Sequence, residues 1–307
     1  MTDHFHLELQ VTAPFRLDFT VAVLQRWPQN TLDRWDGQHY RRLMIFGSTP
    51  HEVCVSQQQT SDTPTLDVEV SASRIVSNAQ EQTISALRHA LGLQLNLAPF
   101  YRIAKHHPRL LALVRPFTGM RPSRFPTLYE ALVSAVACQQ ISLPAGIQIL
   151  NRLIERYGAV AHHPISSRAF PLPETLAQLA PTDLRTLGFS TRKGRTLIGL
   201  SRLAIEGKLR QEDFETMGNT AIHHRLCEIS GIGPWTTDYV LLRAFGRLDI
   251  FPAKDSGALS GLKAWLNLKH IPDQKHLHRI LAPWRSYAGM IYFHLLLRKR
   301  FMQIRSY

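Results

Sequence analysis

LCEISGIGPWTTDYVLLRAFGRLDIFPAKDSGALSGL, residues 226–262, is the stretch that decides the fold of this chain. It contains a tight Gly-x-Gly turn, Gly231 to Gly233, between two segments with helical spacing. One predicted helix later comes an isolated carboxylate, Asp255, where a new helix is expected to begin. The turn suits a nucleic-acid phosphate, and the fixed anion suits a cationic transition state near a sugar.

The basic charge of the chain lies entirely in its second part. The 307 residues include 36 Lys and Arg against 23 Asp and Glu. Residues 1–95 hold 7 basic and 10 acidic side chains, which leaves 29 and 13 for residues 96–307. A domain this basic indicates a polyanionic partner, most often nucleic acid. The alternatives are a solubilising surface or an acidic protein partner.

The composition is typical of a globular protein with one or two hydrophobic cores. Apolar residues make up 44% of the chain, and no run reaches the length of a membrane span. The N-terminal residues do not resemble a secretory signal. We therefore expect a cytoplasmic protein, nucleoid-associated in a bacterium, with no membrane partner and monomeric by default. Three distant cysteines, Cys54, Cys138 and Cys227, predict neither a disulfide framework nor a metal cluster.

Residues 1–95 predict an α+β domain. Residues 5–11, 51–57 and 65–73 have strand character, and residues 79–93 have helical spacing. Asp36-Gly37 between two apolar segments predicts a hairpin. Nothing in this part indicates catalysis, so we expect it to be structural or to support DNA binding.

Residues 96–307 predict an all-α domain. Strand signals almost vanish after Asn96, and the T-x-x-E pattern of Thr127 and Glu130 predicts a capping box that opens a helix. The fold class is thus an α+β N-terminal domain followed by an all-α domain, with a helical hairpin at 222–246. Further helices are predicted over 174–187, 191–206, 222–229, 234–246, 256–267, 274–282 and 285–302.

The Gly-x-Gly turn predicts an anion site. Gly231 and Gly233 allow positive φ and close backbone approach, and Pro234 suits the first position of the second helix. The amides of Gly231, Ile232 and Gly233, together with the helix dipole, would bind one DNA phosphate. A corner between two helices can also carry such glycines without a ligand, so a purely structural turn is the alternative.

Asp255 is predicted both to cap a helix and to act in catalysis. A carboxylate at a helix N-terminus stays ionised, because the dipole and the amides favour its charged form. Breaking a deoxyribose–base bond builds an oxocarbenium-like sugar, which a fixed anion stabilises most in the transition state. The same carboxylate could orient or deprotonate the attacking water. We interpret the nearby Asp238 and Asp249 as structural.

The two motifs, G-I-G-P-W-T-T-D-Y (231–239) and F-G-R-L-D-I-F-P-A-K-D (245–255), closely resemble those of the helix-hairpin-helix DNA glycosylases. Within them the chain is most similar to the 3-methyladenine DNA glycosylase II branch. The resemblance continues in residues 125–142, 187–200 and 282–293 and is looser in the N-terminal part. It implies a two-lobed helical body with the cleft between the lobes. The implied activity is removal of alkylated purines from duplex DNA by base flipping, the start of base excision repair.

The resemblance also assigns roles to single residues. It makes Asp255 the catalytic group and Gln140, with Ile141, the wedge that enters the minor groove. For the base pocket it implies Phe293 and Gln139, and we add Trp235 and Tyr239, which are four residues apart and share a helix face. Many alkylated purines are cationic and would be attracted by the electron-rich rings, although core packing is the alternative for each ring. Arg192 and Lys193, after a turn, are either phosphate contacts or a solvated helix start.

The chemistry predicted is hydrolysis without strand cleavage. Bifunctional relatives carry a lysine nucleophile where this chain has Trp235, so water is the expected nucleophile. No cysteine follows Cys227, which excludes an iron–sulfur cluster by ligand count. We expect no cofactor and no catalytic metal, apart from a structural cation at the hairpin phosphate site. The expected partner is double-stranded DNA containing damaged bases, with no obligate protein partner.

Two other functions stay open at this point. One is a glycosylase for oxidised or deaminated bases on the same scaffold, since the sequence does not fix the shape of the pocket. The other is a non-catalytic protein that binds DNA damage, which would keep the hairpin and the charge but would not need Asp255.

Overall fold

The N-terminal part is an antiparallel sheet with two helices. The computed structural model describes residues 3–58, 63–160 and 167–304. Alternating apolar residues build five strands in the order β1-β5-β4-β3-β2. Their bounds are β1 Asp3–Gln10, β2 Arg34–Trp35, β3 His39–Phe46, β4 Thr49–Gln57 and β5 Thr65–Ala72. Helix α1, Leu17–Gln25, precedes β2, and helix α2, Ala79–Ala90, follows β5. Buried residues of both helices share one core with those of the sheet.

The predicted hairpin at Asp36-Gly37 is confirmed. Gly37 has a φ of 104°, and Trp35 pairs with Tyr40 across the turn. One carboxylate oxygen of Asp36 accepts hydrogen bonds from the amides of Gln38 and His39, at 2.9 and 2.7 Å. In such an Asx turn the side chain accepts backbone amides, which favours the hairpin turn over a continued strand.

Helices dominate the described residues beyond 96, as predicted. They are α3 Ala98–Lys105, α4 Pro108–Val114, α5 Leu128–Cys138, α6 Leu143–Tyr157, α7 Pro173–Ala177, α8 Pro181–Thr186, α9 Thr191–Ile205, α10 Glu212–Glu215, α11 Asn219–Cys227, α12 Pro234–Arg243, α13 Ser256–Leu266, α14 Gln274–Leu281 and α15 Ala288–Ile304. The single helix predicted over 174–187 is wrong, because Pro181 starts a second helix there. A 3₁₀ turn, Ala282–Tyr287, also precedes α15.

The described residues of the helical part form two clusters of buried apolar side chains. The first is built from α5, α6, α9, α11 and α12 and their neighbours. The second is built from α3, α4, α13, α14 and α15, and it includes Ala22 and Val23 of α1. Since α1 also contributes to the core of the sheet, this helix joins the N-terminal part to the second cluster.

A buried ionic network fixes the sheet to α5. Arg42 of β3 donates to Asp33 at 2.7 Å and to Glu130 of α5 at 2.5 Å, and the Tyr40 hydroxyl donates to Asp33 at 2.9 Å. Thr127 caps α5 by accepting the Glu130 amide, as predicted. The other half of the predicted capping box is wrong. The Glu130 carboxylate binds Arg42, because a buried guanidinium needs an anionic partner.

Candidate active site

The hairpin turn lies between α11 and α12, and its two glycines differ. Gly231 has a φ of 88°, and a Cβ there would lie 2.0 Å from Thr196 Oγ1 on α9. Glycine is therefore required both by conformation and by space. Gly233 has an ordinary φ of −123°, so the prediction of positive φ is wrong for it. No atom lies within 4 Å of a Cβ built on Gly233, which leaves open space beside the start of α12.

The anion-binding capacity of the turn is smaller than predicted. The amide of Ile232 donates to Ile229 O at 3.0 Å, and its side chain is buried, so the Ile232 amide is not free to bind a phosphate. The turn closes on itself through this bond, which leaves the amides of Gly231 and Gly233 as candidate phosphate donors. Gly231 O, a candidate ligand for the expected cation, accepts from Gln139 Nε2 at 3.0 Å.

The loop after α5 contacts the hairpin, and the two line the same cleft. Gln140 has a φ of 55°, and Ile141 is 40% exposed, so this loop presents an apolar side chain at the rim. Gln139 ties the loop to the hairpin, because its Nε2 also donates to Thr236 Oγ1 at 2.9 Å. These contacts place all three predicted loop residues in the lining of the cleft.

Lys193 donates hydrogen bonds to the start of this loop. Its Nζ donates to Ala137 O at 3.0 Å and to Gln139 O at 2.7 Å, which satisfies carbonyls at the end of α5. Burial lowers the pKa of Lys193. Lys193 and its exposed neighbour Arg192 both line the cleft, and Lys193 also holds the loop, so a phosphate contact stays a prediction for both residues.

A row of contacts crosses the cleft from Asp255. One carboxylate oxygen accepts the Ala258 amide at 2.8 Å, which makes Asp255 the N-cap of α13. The other accepts Trp235 Nε1 at 3.3 Å. The Trp235 ring stacks on Tyr239 with centroids 5.6 Å apart and planes inclined by 21°. The structure therefore brings together Asp255, Trp235 and Tyr239, three residues that were predicted to belong to the site.

Phe293 is not in the cleft, contrary to the prediction. Its side chain is fully buried, with the Arg243 guanidinium 5.4 Å from its ring centroid. Tyr292 lines the cleft in its place, because neighbouring residues of a helix point about 100° apart. Burial and the nearby Asp255 raise the pKa of Tyr292 well above its usual value, which keeps the phenol protonated at neutral pH.

The structure adds residues that the sequence analysis missed. Arg26, Trp27 and Pro28, directly after α1, line the cleft, so the part of the chain that was expected to be structural or to support DNA binding also contributes to the site. Arg26 Nη1 donates to the Tyr239 hydroxyl at 3.2 Å and contacts Cys138 Sγ at 3.7 Å. The sequence signal for this contribution was the Arg-Trp-Pro triplet, which lies in the part of the chain that has an acidic excess.

The competing carboxylates lie outside the lining of the cleft. Asp249 accepts a hydrogen bond from Asn219 Nδ2 at 2.8 Å, and burial raises the pKa of Asp238. Asp255 is the one carboxylate among the described residues that line the cleft, which has a volume of about 1540 Å³. The cleft therefore combines a single fixed anion with stacked rings and a basic rim.

The described residues include no group of three or more His, Cys, Asp or Glu side chains arranged to hold a metal ion. In the same part of the chain, no helix combines the length and apolarity that a bilayer crossing requires.

Comparisons with known proteins agree with this architecture. The sequence profile of the HhH-GPD superfamily base excision DNA repair proteins matches residues 133–286. A DNA-3-methyladenine glycosylase of Bacillus subtilis is 31% identical over 217 residues, which cover 70% of this chain and 72% of the relative. Two solved structures are also similar.

The first is a 3-methyladenine DNA glycosylase from Archaeoglobus fulgidus, with a TM-score of 0.84 and 22% identity over 97% of this chain and 99% of the other. The second is a Schizosaccharomyces pombe 3-methyladenine DNA glycosylase in complex with abasic DNA, with a TM-score of 0.51 and 28% identity over 68% and 95% of the two chains. The chain thus belongs to the HhH-GPD superfamily of base excision DNA repair proteins.

Proposed function

We propose that this protein is a monofunctional DNA glycosylase that removes alkylated purines of the 3-methyladenine type from duplex DNA. The observation that carries the proposal is Asp255, held by a helix N-terminus and by Trp235 in a cleft with no other carboxylate among its described lining residues. The names of the B. subtilis and S. pombe relatives support the substrate class. The abasic-DNA complex of the second supports damaged DNA as the partner.

The proposed substrate enters the two-lobed helical body as a flipped base. The target bond cannot be reached inside a duplex, so the damaged nucleotide rotates out of the stack. Trp235 and Tyr239 offer stacked faces to the base, while Ile141 and Gln140 fill the gap in the duplex. The amides of Gly231 and Gly233, with Arg192, hold the backbone.

Hydrolysis then needs only one protein carboxylate and water. As the bond between the sugar C1′ and the base nitrogen breaks, its electron pair leaves with the base and C1′ becomes cationic. Asp255 stabilises that cation and orients the water that adds to C1′. No redox or electrophilic cofactor enters this reaction, and a structural cation at the hairpin would act only on DNA binding.

Trp235 supports a monofunctional reaction, because it occupies the position at which bifunctional relatives carry a lysine. Lys254 stands next to Asp255 and lines the cleft, but it is exposed and lacks the buried, desolvated setting that activates a lysine nucleophile. The expected product is an abasic site in an intact strand. Cytoplasmic localisation remains a prediction from the sequence.

The test is incubation of the purified protein with methylated duplex DNA. We expect release of 3-methyladenine, strands that break only after alkali treatment, and no covalent adduct after borohydride reduction. A trapped adduct would contradict the monofunctional reaction, and binding without base release would favour a damage-binding protein.

A further inference from the structure

The row of contacts that starts at the carboxylate of Asp255 ends at a cation. Asp255 contacts Trp235, Trp235 stacks on Tyr239, and the hydroxyl of Tyr239 accepts from Arg26. The rings that would hold a base thus lie between an anion and a guanidinium. The anion has a role in the reaction proposed above, whereas the guanidinium has none.

Arg26 is held in a conformation that arginine rarely adopts. Its φ is 63° and its ψ is −44°, directly after the end of α1. Such backbone strain persists only where the surroundings fix it, and it is concentrated at functional sites. The bonds from Nη1 to Tyr239 and Cys138 fix the side chain against the cleft.

A second guanidinium reinforces the positive charge. Arg243 is fully buried, and its Cζ lies 5.3 Å from the centroid of Phe125, while that of Arg26 lies 5.2 Å from the same ring. Both arginines line the cleft. The ring faces offset part of the cost of burying two like charges.

This charge is not neutralised within the cleft. Among the described residues, Arg26 Nε and Arg243 Nε and Nη1 are buried without a hydrogen-bond partner. The nearby Asp33 already binds Arg42 and Tyr40. An unneutralised buried cation with free donors suits a ligand that accepts hydrogen bonds or develops negative charge.

The charge of a leaving purine depends on the lesion. When C1′–N9 breaks, the electron pair of that bond stays on N9. A cationic base, such as 7-methylguanine, departs neutral, whereas an uncharged base, such as hypoxanthine, departs as an anion and takes up a proton afterwards. The water adds its oxygen to C1′ and releases the balancing proton through Asp255 and solvent.

We propose that Arg26, from the N-terminal part of the chain, stabilises the departing anion of uncharged purine lesions and so extends the activity to them. This proposal rests on the glycosylase function proposed above. The guanidinium gains interaction energy as negative charge grows on a neutral base, which lowers the barrier for that lesion. A cationic base departs neutral, so relative to free enzyme and free DNA the guanidinium gains nothing in that transition state, and the repulsion it relieves only offsets weaker binding of the cation.

The experiment compares two lesions in matched duplexes, hypoxanthine and 7-methylguanine, under single-turnover conditions with the enzyme below its Kd for DNA, where each rate measures the transition state against free enzyme and DNA. The variants are Arg26→Gln and Arg26→Lys, with Arg16→Gln as the matched control. Arg16 precedes the other end of α1 and pairs with Asp18 on the surface. Each rate is divided by the wild-type rate for the same lesion, which removes the intrinsic difference between the two leaving groups.

We expect wild type to release both bases. Arg26→Gln should lower hypoxanthine release about 10- to 100-fold and change 7-methylguanine release less than about threefold, the first figure matching a charged hydrogen bond. Arg26→Lys keeps the charge and should recover part of the loss, and Arg16→Gln should change neither rate. Thermal unfolding of each variant checks that the fold is intact.

Several results would overturn the proposal. A proportional fall for both lesions would show a structural role for Arg26, and unchanged hypoxanthine release would show no role. If Arg26→Gln does not fold, two other variants test the proposal. Arg26→Lys, and Tyr239→Phe, which removes the hydroxyl that accepts from Arg26, must then change the ratio of hypoxanthine release to 7-methylguanine release. Release of 7-methylguanine without hypoxanthine defeats this proposal alone, whereas release of neither base defeats the glycosylase function.

Discussion

Two aspartates of this protein cap helices in the same way but lie in different surroundings. Asp255 accepts the Ala258 amide at 2.8 Å at the start of α13, and Asp273 accepts the His276 amide at 2.7 Å at the start of α14. Asp273 is exposed and has no further side-chain partner among the described residues, whereas Asp255 also binds Trp235 and faces the cleft. The local sequence motif explains both caps. Contacts with segments distant in sequence distinguish Asp255 from Asp273 and make Asp255 the candidate catalytic group.

The largest effect should come from removing the charge of one cap. Asp255→Asn keeps a good helix cap but loses the anion beside the developing sugar cation, so base release should fall about 100- to 1000-fold. Asp273→Asn should leave the rate unchanged. Single-turnover release from methylated duplex DNA measures both, and equal rates for the two variants would remove the distinction between the caps.

The two glycines of the hairpin extend the comparison to stability. Gly231→Ala forces a Cβ into Thr196 at a φ of 88° and should cost about 2–3 kcal/mol of unfolding free energy. Gly233→Ala meets open space and should cost less than about 0.5 kcal/mol while weakening DNA binding, because the methyl enters the space proposed for the phosphate. Urea unfolding and binding to abasic-site duplex separate the two effects. Equal loss of stability would contradict the structural difference.

The partner of Asp255 can be tested with a smaller change. Trp235→Phe keeps an aromatic face but removes the Nε1 donor that distinguishes Asp255 from Asp273. Base release should fall about tenfold, the value of a modest hydrogen bond to a charged group. A rate equal to wild type would mean that the helix cap alone positions the carboxylate.

The smallest effect is expected at Lys254, the residue before Asp255. It is exposed and contributes long-range attraction to DNA. Lys254→Met should leave the single-turnover rate unchanged and reduce the salt slope of DNA binding by about one. A large loss of rate would instead assign Lys254 to the reaction.

Local signals in the sequence were sufficient for much of the fold. The Asp36-Gly37 hairpin, the Thr127 cap and the Asp255 cap depend on neighbouring residues, and each was predicted correctly. The split of α7 from α8 was missed although Pro181 signalled it.

Omissions and errors at the site came from contacts between distant segments. Lys193 binds a loop about 55 positions earlier, and Arg26 reaches Tyr239 across 213 positions. The placement of Phe293, taken from the family resemblance, was wrong by one residue, because a motif match does not show which of two adjacent aromatic residues faces the cleft. Such partners are set by the tertiary arrangement, so no local pattern predicts them.

The Arg42–Glu130 pair has a consequence for how this architecture can change. Removing either partner alone would leave the other charge buried and unpaired between the sheet and α5, at a cost of about 3–5 kcal/mol. Sheet and helices should therefore unfold in one cooperative transition. Neither Arg42 nor Glu130 can therefore be exchanged by a single mutation without this cost, so the junction between sheet and helices resists stepwise change.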